Sequence, residues 1–237
     1  MTAETERLRT ALLSSVSHDL RTPLVTIIGA AGSLADTPNL APKARHDLAE
    51  NIREEGERLD RYVQNLLDMT RLGHGAIRPS LAAVDLAELI GSARQRMRGL
   101  VRSHTLRVDF PQTLLLVAAD GILLEQVLVN ILDNAAKYAP EGTEILVSAR
   151  IAGDMAELSV TDHGPGIPAA DLTRVFDMFY RVAGGDRQRA GTGLGLAICK
   201  GLIEAMGGTI RAETARPDGS GTRILITIPM QKPGPTA

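Results

Sequence analysis

The chain has no tryptophan and only three tyrosines and three phenylalanines, so it lacks the aromatic platforms on which single-stranded nucleic acid stacks. Its one cysteine, Cys199, excludes an intramolecular disulfide and any multi-cysteine metal site and fits a reducing compartment. Cys199 sits among Leu196, Ala197, Ile198 and Leu202 at helical spacing, which is the setting of a buried structural thiol. No uncharged apolar run approaches the ~20 residues that span a bilayer and no leader pattern is present, so this stretch reads as soluble and cytoplasmic. No sign of charge dominates either. The 26 Lys and Arg against 28 Asp and Glu leave a formal charge of -2, which implies no direct nucleic-acid partner. The local basic cluster Arg94, Arg96, Arg98 and Arg102 reads as a solvated helix face.

What is present is ordinary globular material: 237 residues, 44% hydrophobic, enough for two modest domains. Glu4 to Ala35 and Lys43 to Arg71 each read as one long helix, separated by the turn-rich Asp36-Thr37-Pro38-Asn39-Leu40-Ala41-Pro42. Leu13, Val16, Leu20, Leu24, Ile27, Ala31 and Leu34 recur at steps of three and four, as do Leu48, Ile52, Leu59, Val63 and Leu66. Two helices with one apolar stripe each cannot enclose a core, so a homodimeric four-helix bundle is expected. Glycines and a proline then break the periodicity. The expected division is a helical hairpin over 1–72, a hinge over 73–80 and a second domain over 81–237.

That second domain alternates strand and helix patterns. Helices are expected at Leu86 to Val101, Gly121 to Ala139 and Leu194 to Met206. Strands are expected at Thr105 to Phe110, Glu144 to Ile151, Met155 to Thr161, Thr209 to Thr214 and Thr222 to Pro229, the last two joined by a turn at Pro217 to Gly219. The fold class is an α/β sandwich, a mixed sheet with helices on one face.

At ~100° per residue His18 falls nearly opposite the centre of its helix's apolar stripe, and Thr22 shares its face. Pro23 lacks the N–H that would bond the Asp19 carbonyl, which should loosen the helix beside the histidine. A neutral imidazole nitrogen is a competent nucleophile, and the Asp19 carboxylate could fix its tautomer and take its proton. An exposed histidine on a helix is otherwise simply surface. His46, His74, His104 and His163 lack any such context, and no spacing among them suggests a metal site.

In the second domain Asn130, Asn134 and Lys137 share one face of a helix, beside the stripe Leu124, Leu128, Ile131 and Ala135. Asparagine oxygens suit Mg²⁺ and a lysine suits a phosphate, although a solvated polar face explains the spacing equally well. Asp162-His163-Gly164-Pro165-Gly166-Ile167 places a carboxylate and two glycines at a strand's end. Gly191-Thr192-Gly193-Leu194-Gly195-Leu196 runs into a helix whose positive end can meet phosphates. Its G-x-G-x-G spacing is not the dinucleotide fingerprint, and it is no Walker A loop. The segment Ala183 to Ala190 reads as a mobile lid, within which Arg187 or Arg189 is placed to reach a γ-phosphate.

These strings together resemble the sensor histidine kinases of two-component systems. Ser17-His18-Asp19-Leu20-Arg21-Thr22-Pro23-Leu24 resembles the family's H-box, whose histidine accepts the phosphoryl group. Asn130 to Tyr138 resembles the N-box, the Asp162 string the G1 box, Phe176-Asp177-Met178-Phe179-Tyr180-Arg181 the F-box and the Gly191 string the G2 box. Gly221-Thr222 is similar to the G3 box, with Ile224 where an aromatic is common. The resemblance implies His18 as phosphoacceptor, Asp19 as its base and Thr22 in dephosphorylation of the regulator. It implies Asn130 and Asn134 as Mg²⁺ ligands. Lys137, Tyr138, Gly164, Gly166, Arg187, Gly191, Gly193, Leu194, Gly195 and Thr222 would bind ATP, with Asp162 on the adenine amino group. The fold implied is that shared with gyrase and chaperone ATPases, which carry a glutamate where this chain has Asn130. Without that base ATP should be saved for His18, which favours a kinase over an ATPase or a non-catalytic docking scaffold. Leu8-Arg9-Thr10-Ala11-Leu12-Leu13 and Gly195-Leu196-Ala197-Ile198-Cys199 look most like the Kdp-type potassium-responsive sensor kinases. That likeness implies a winged-helix response regulator as partner and a longer, membrane-anchored parent.

Overall fold

The computed structural model describes residues 3–73, 77–97, 103–111, 114–182 and 193–231; the side chains of residues 3–19, 62, 68 and 71–73 lie outside that description. The chain divides into two compact units, one through Thr70 and the other from Arg71 onward.

The first unit is a pair of helices, α1 (Ala3–Asp36) and α2 (Pro42–Gly73). Their limits fall within two residues of those expected from the stop signals. Helix α1 continues through Pro23, which is buried. Thr26 Oγ1 donates to the Thr22 carbonyl at 3.2 Å, a side-chain back-bond of the kind that bends helices. The apolar surface is wider than the expected stripes. Leu24, Val25, Ile28, Val63 and Leu67 are 45–62% exposed, and Val25, Ile28 and Leu67 belong to neither expected row. Asn65 of α2 is buried.

The second unit opens with β1 (Ala82–Asp85), which pairs antiparallel with β3 (Leu116–Ala119) in a two-stranded sheet that the sequence pattern did not reveal. Helix α3 (Leu86–Arg96) follows at once, capped by the Asp85 carboxylate, which accepts from Ala87 N at 2.8 Å. It is shorter than the expected Leu86–Val101. The chain leaves the helix at Met97, and residues 98–101 of the expected span lie outside the described residues. Arg94 and Arg96 end this helix, where positive charge meets the negative end of the dipole.

Strands β2 (Thr105–Asp109), β4 (Glu144–Ala152), β5 (Met155–Thr161), β6 (Thr209–Thr214) and β7 (Thr222–Pro229) form one sheet in the order β2-β4-β5-β7-β6. Only β2 and β4 run parallel, so the sheet is mixed as expected. Burial alternates along β4, with Ile145, Val147 and Ala149 inward, as a sheet covered on one face requires. The inward face packs against α4 (Gly121–Tyr138) and α5 (Gly195–Ala205), and Leu124, Leu128, Ile131, Leu158, Ile198 and Leu202 are 2% exposed or less. The outward face is polar: Ser148 and Ser159 share a hydrogen bond at 2.9 Å and Arg150 pairs with Glu157.

Two junctions position the site. Asp120 caps α4, its Oδ1 accepting from Ile122 N at 3.1 Å and Leu123 N at 3.3 Å, while its Oδ2 accepts from Ser80 N at 3.0 Å. The last residue of the expected hinge is thereby fastened to the second unit. Gln231 N donates to the Leu116 carbonyl at 2.9 Å, which ties the end of β7 to the small sheet.

Candidate functional site

The best-defined part of the site is the end of β5. Asp162 is 7% exposed, and its Oδ1 accepts from Gly164 N at 2.7 Å and Thr222 N at 3.1 Å. Among the described residues Oδ2 accepts no hydrogen bond. Burial pushes this carboxyl above its ordinary value, the two backbone donors pulling it back only in part. A buried carboxylate with one oxygen satisfied by the fold and one left over is a hydrogen-bond acceptor waiting for a donor. The backbone of Asp162 and Thr222 pairs as well, N to O at 2.9 Å, so Thr222 borders this carboxylate.

The glycines of the same loop are there because backbone approaches backbone. Gly166 has φ +81°, and a Cβ built on it would fall 2.2 Å from the Gly219 carbonyl oxygen. A Cβ on Gly164 would fall 3.1 Å from the carbonyl oxygen of Tyr138, the last residue of α4. The Asp162 loop therefore lies directly on the C-terminal end of the helix that carries Asn130, Asn134 and Lys137.

On that helix Asn130 is 8% exposed and Asn134 half-buried. Lys137 Nζ lies 5.3 Å from the centre of the Tyr138 ring, a cation–π separation. Asn134 faces the start of α5: its Nδ2 is 3.9 Å from where a Cβ on Gly195 would stand. The absent side chain at Gly195 thus leaves room beside an amide. Leu194 is fully buried and holds the N-terminal end of α5 in place. Cys199 is buried as expected, its thiol pushed up to about 12 by burial.

One connection had no signal in the sequence. Phe179 adopts φ +65°, a left-handed conformation uncommon for a bulky residue. Its N–H donates to the Gly193 carbonyl at 3.0 Å, and a Cβ on Gly193 would fall 2.8 Å from the Phe179 backbone. Alongside, Tyr180 donates to Asp171 at 2.5 Å while Arg174 lies 4.3 Å over its ring. The F-box string and the glycine string are thus clamped together. The structure brings Asn130, Asn134, Tyr138, Asp162, Gly164, Gly193, Gly195 and Thr222 into one neighbourhood through these contacts. Arg187 and Gly191 lie outside the described residues.

In the first unit His18 and Asp19 lie within α1, and their side chains are outside the described residues. Thr22, one turn later, is exposed. Among the described residues no group of three or more His, Cys, Asp or Glu could hold a metal ion, and no helix is long and apolar enough to cross a membrane.

Two family models match the two units: residues 8–75 match the His Kinase A (phospho-acceptor) domain, and residues 119–232 the histidine kinase-, DNA gyrase B- and HSP90-like ATPase. The chain belongs to the sensor histidine kinases, with a phospho-acceptor half and an ATP-binding half. It is similar to Sensor protein KdpD of Escherichia coli, 41% identical over 238 residues that cover 98% of this chain and 25% of that protein. The structure of the mycobacterial sensor histidine kinase MprB is 35% identical with a TM-score of 0.57, over 64% of this chain and 98% of that one. Full-length ShkA, solved with AMPPNP, is 29% identical with a TM-score of 0.65, over 94% of this chain and 46% of that one. The chain spans about a quarter of the length of the curated relatives it matches. The ATPase match implies ATP binding.

Proposed function

We propose that this chain is the catalytic core of a sensor kinase that phosphorylates its own His18 from ATP and passes the phosphoryl group to an aspartate of a response regulator. An imidazole nitrogen of His18 attacks the γ-phosphorus, the bond to the ADP oxygen breaks, and the imidazole proton passes to Asp19. The observation that carries the nucleotide half is Asp162: a buried carboxylate whose free Oδ2 suits the adenine amino group, beside Thr222. Asn130 and Asn134 suit Mg²⁺ as neutral hard oxygen ligands. Bound there, Mg²⁺ would supply positive charge to offset the charge that develops in transfer. Gly193, Leu194 and Gly195 present backbone N–H groups at the start of α5 to the phosphates. Lys137 and Tyr138 stand at the edge of the same pocket, and Gly164 and Gly166 let the loop close against it. Arg187 and Gly191, which lie outside the described residues, would be the further phosphate contacts.

The four-residue step from His18 to Thr22 supports a second role, in which Thr22 positions water for dephosphorylation of the regulator. Residues 73–79 would let the nucleotide unit deliver its γ-phosphate, since Ser80 is already held by Asp120. The likeness to KdpD supports a winged-helix transcription factor as regulator and a cytoplasmic position within a membrane-anchored parent. The apolar surface left open on α1 and α2 supports a homodimer.

Incubation with ATP labelled at the γ-phosphate tests the proposal. Acid-labile, alkali-stable label on the wild type and none on His18→Ala is the expected result. Equal labelling of the two contradicts it, and no label on either leaves the docking-scaffold or ATPase reading.

A further inference from the structure

Phe179 and Gly193 both have left-handed backbone, with φ of +65° and +68°. Glycine adopts it freely, but a bulky residue does so only where its surroundings over-determine it. Two attachments hold Phe179. Before it, the buried Val175 and Phe176 seat the single 3₁₀ turn Arg174–Phe176 against α5. After it, Tyr180 is held twice. Its hydroxyl donates to Asp171 Oδ1 at 2.5 Å, a charge-assisted bond, and the Arg174 guanidinium lies 4.3 Å over its ring. Asp171 is itself fixed by backbone: its N–H donates to the Pro168 carbonyl at 2.8 Å, and its carbonyl accepts from Val175 N at 2.9 Å.

What Tyr180 holds reaches α5 directly. A Cβ on Gly193 would fall 2.8 Å from the Phe179 carbonyl carbon and 3.0 Å from the Tyr180 carbonyl oxygen, and Phe179 N–H donates to the Gly193 carbonyl at 3.0 Å. Helix α5 begins at Gly195, so a shift of the Tyr180 backbone is passed through Gly193 to the first N–H groups of that helix. The Asp162 carboxylate takes no part in these contacts, being held by Gly164 N and Thr222 N. The two ends of the site are therefore fixed by separate sets of contacts.

We propose that Tyr180, held by Asp171 and Arg174, is a positioning residue for the phosphate end of the nucleotide site, fixing where the N–H groups at the start of α5 stand. This rests on the reading of Gly193 to Gly195 as the phosphate-binding turn. Tyr180→Phe removes the hydroxyl and keeps the ring beside Arg174. Asp171→Ala removes the acceptor, and Asp171→Asn keeps one.

The test is titration of Mg-ATP and, separately, of adenosine into the whole chain and its variants. Tyr180→Phe and Asp171→Ala are each expected to weaken ATP about fivefold, the scale of one net hydrogen bond, with adenosine changed less than about twofold. The double variant should lose no more than either single one, since both break the same bond. Asp171→Asn should retain most of the ATP affinity. Unchanged ATP affinity in both single variants overturns the proposal, and so does an equal loss of ATP and adenosine, the mark of a general loosening. Losses that add in the double variant also overturn it, since Tyr180 and Asp171 would then act separately. Gly195→Ala, which puts a methyl group at the start of α5, separates the two layers. If it lowers the preference for ATP over adenosine while Tyr180→Phe and Asp171→Ala do not, only the role of Tyr180 fails. If Gly195→Ala leaves that preference unchanged, the phosphate assignment and this proposal fail together.

Discussion

The two units of this chain differ in how completely each is finished by its own residues. In the nucleotide unit Leu124, Leu128 and Leu158 have no exposed surface at all. In the helical hairpin Val25 and Ile28 are 60% and 62% exposed, and Leu24, Val63 and Leu67 nearly half. Burying a Val, Leu or Ile fully is worth about 1.5–3 kcal/mol, so the hairpin leaves a large driving force unused that a second copy can collect. The nucleotide unit needs no such partner. The acceptor half should therefore respond to dilution and the donor half should not.

The separation can be attacked from either side. Asn134→Ala should have the largest effect, lowering autophosphorylation by about 10² to 10³ through lost charge stabilisation. Light scattering should find its dimer intact; a monomer would show that the halves are not separable in this way. Leu67→Glu attacks the other unit and places a charge on the open apolar surface. It should weaken the dimer about 100-fold, roughly the tenfold-or-more penalty of burying an unpaired charge taken twice. Sedimentation checks that, while ATP-analogue binding to the same variant should be unchanged.

Asp162→Asn should lower ATP affinity about 10–100-fold, since it turns an acceptor into a donor opposite the adenine amino group and leaves a buried donor unpaired. GTP, which carries a carbonyl at that position, should gain relative to ATP in a competition assay. The same variant has a pH signature. The folded carboxyl is raised above the ordinary 3.8 by burial, so its contribution to stability is full below that value and is lost as pH rises through the folded one. Asn does not titrate, so the stability of the variant relative to wild type should rise across that window in urea melts. A flat difference would mean that burial does not dominate at Asp162.

Gly166→Ala should act on stability alone, costing about 1–3 kcal/mol for the strained left-handed residue before any clash is counted. The Cβ would strike the Gly219 carbonyl, so the loss should show in thermal melts of the nucleotide unit and spare the dimer.

The contrast between the units also governed what the sequence disclosed. Long amphipathic helices state their limits plainly, and the stops at Asp36 and Pro42 were legible because Pro and Asn crowd the turn. The full width of the apolar surface was not, because Val25 lies beside the row and Ile28, four residues after Leu24, was passed over for Ile27; their exposure has meaning only in an assembly. In the nucleotide unit the five strands of the large sheet were legible from alternation. Strands β1 and β3 were not: four residues each, with alanines and no alternation, they exist because each supplies the other's hydrogen bonds. Of the site, the motif residues were visible but not their couplings. Nothing near Phe179 announces a left-handed backbone tied to Gly193, and nothing near Cys199 announces the Val127 carbonyl, since both links join segments distant in sequence.

The central claim is that the donor half holds ATP without hydrolysing it and releases the γ-phosphoryl group only to the acceptor half. Single-turnover reactions, with ADP and free phosphate measured separately in wild type and His18→Ala, test it most directly. The account predicts ADP matched one-for-one by phosphohistidine in the wild type, with free phosphate trailing, and almost no ADP from His18→Ala. ADP and phosphate produced together by His18→Ala at the wild-type rate would contradict it.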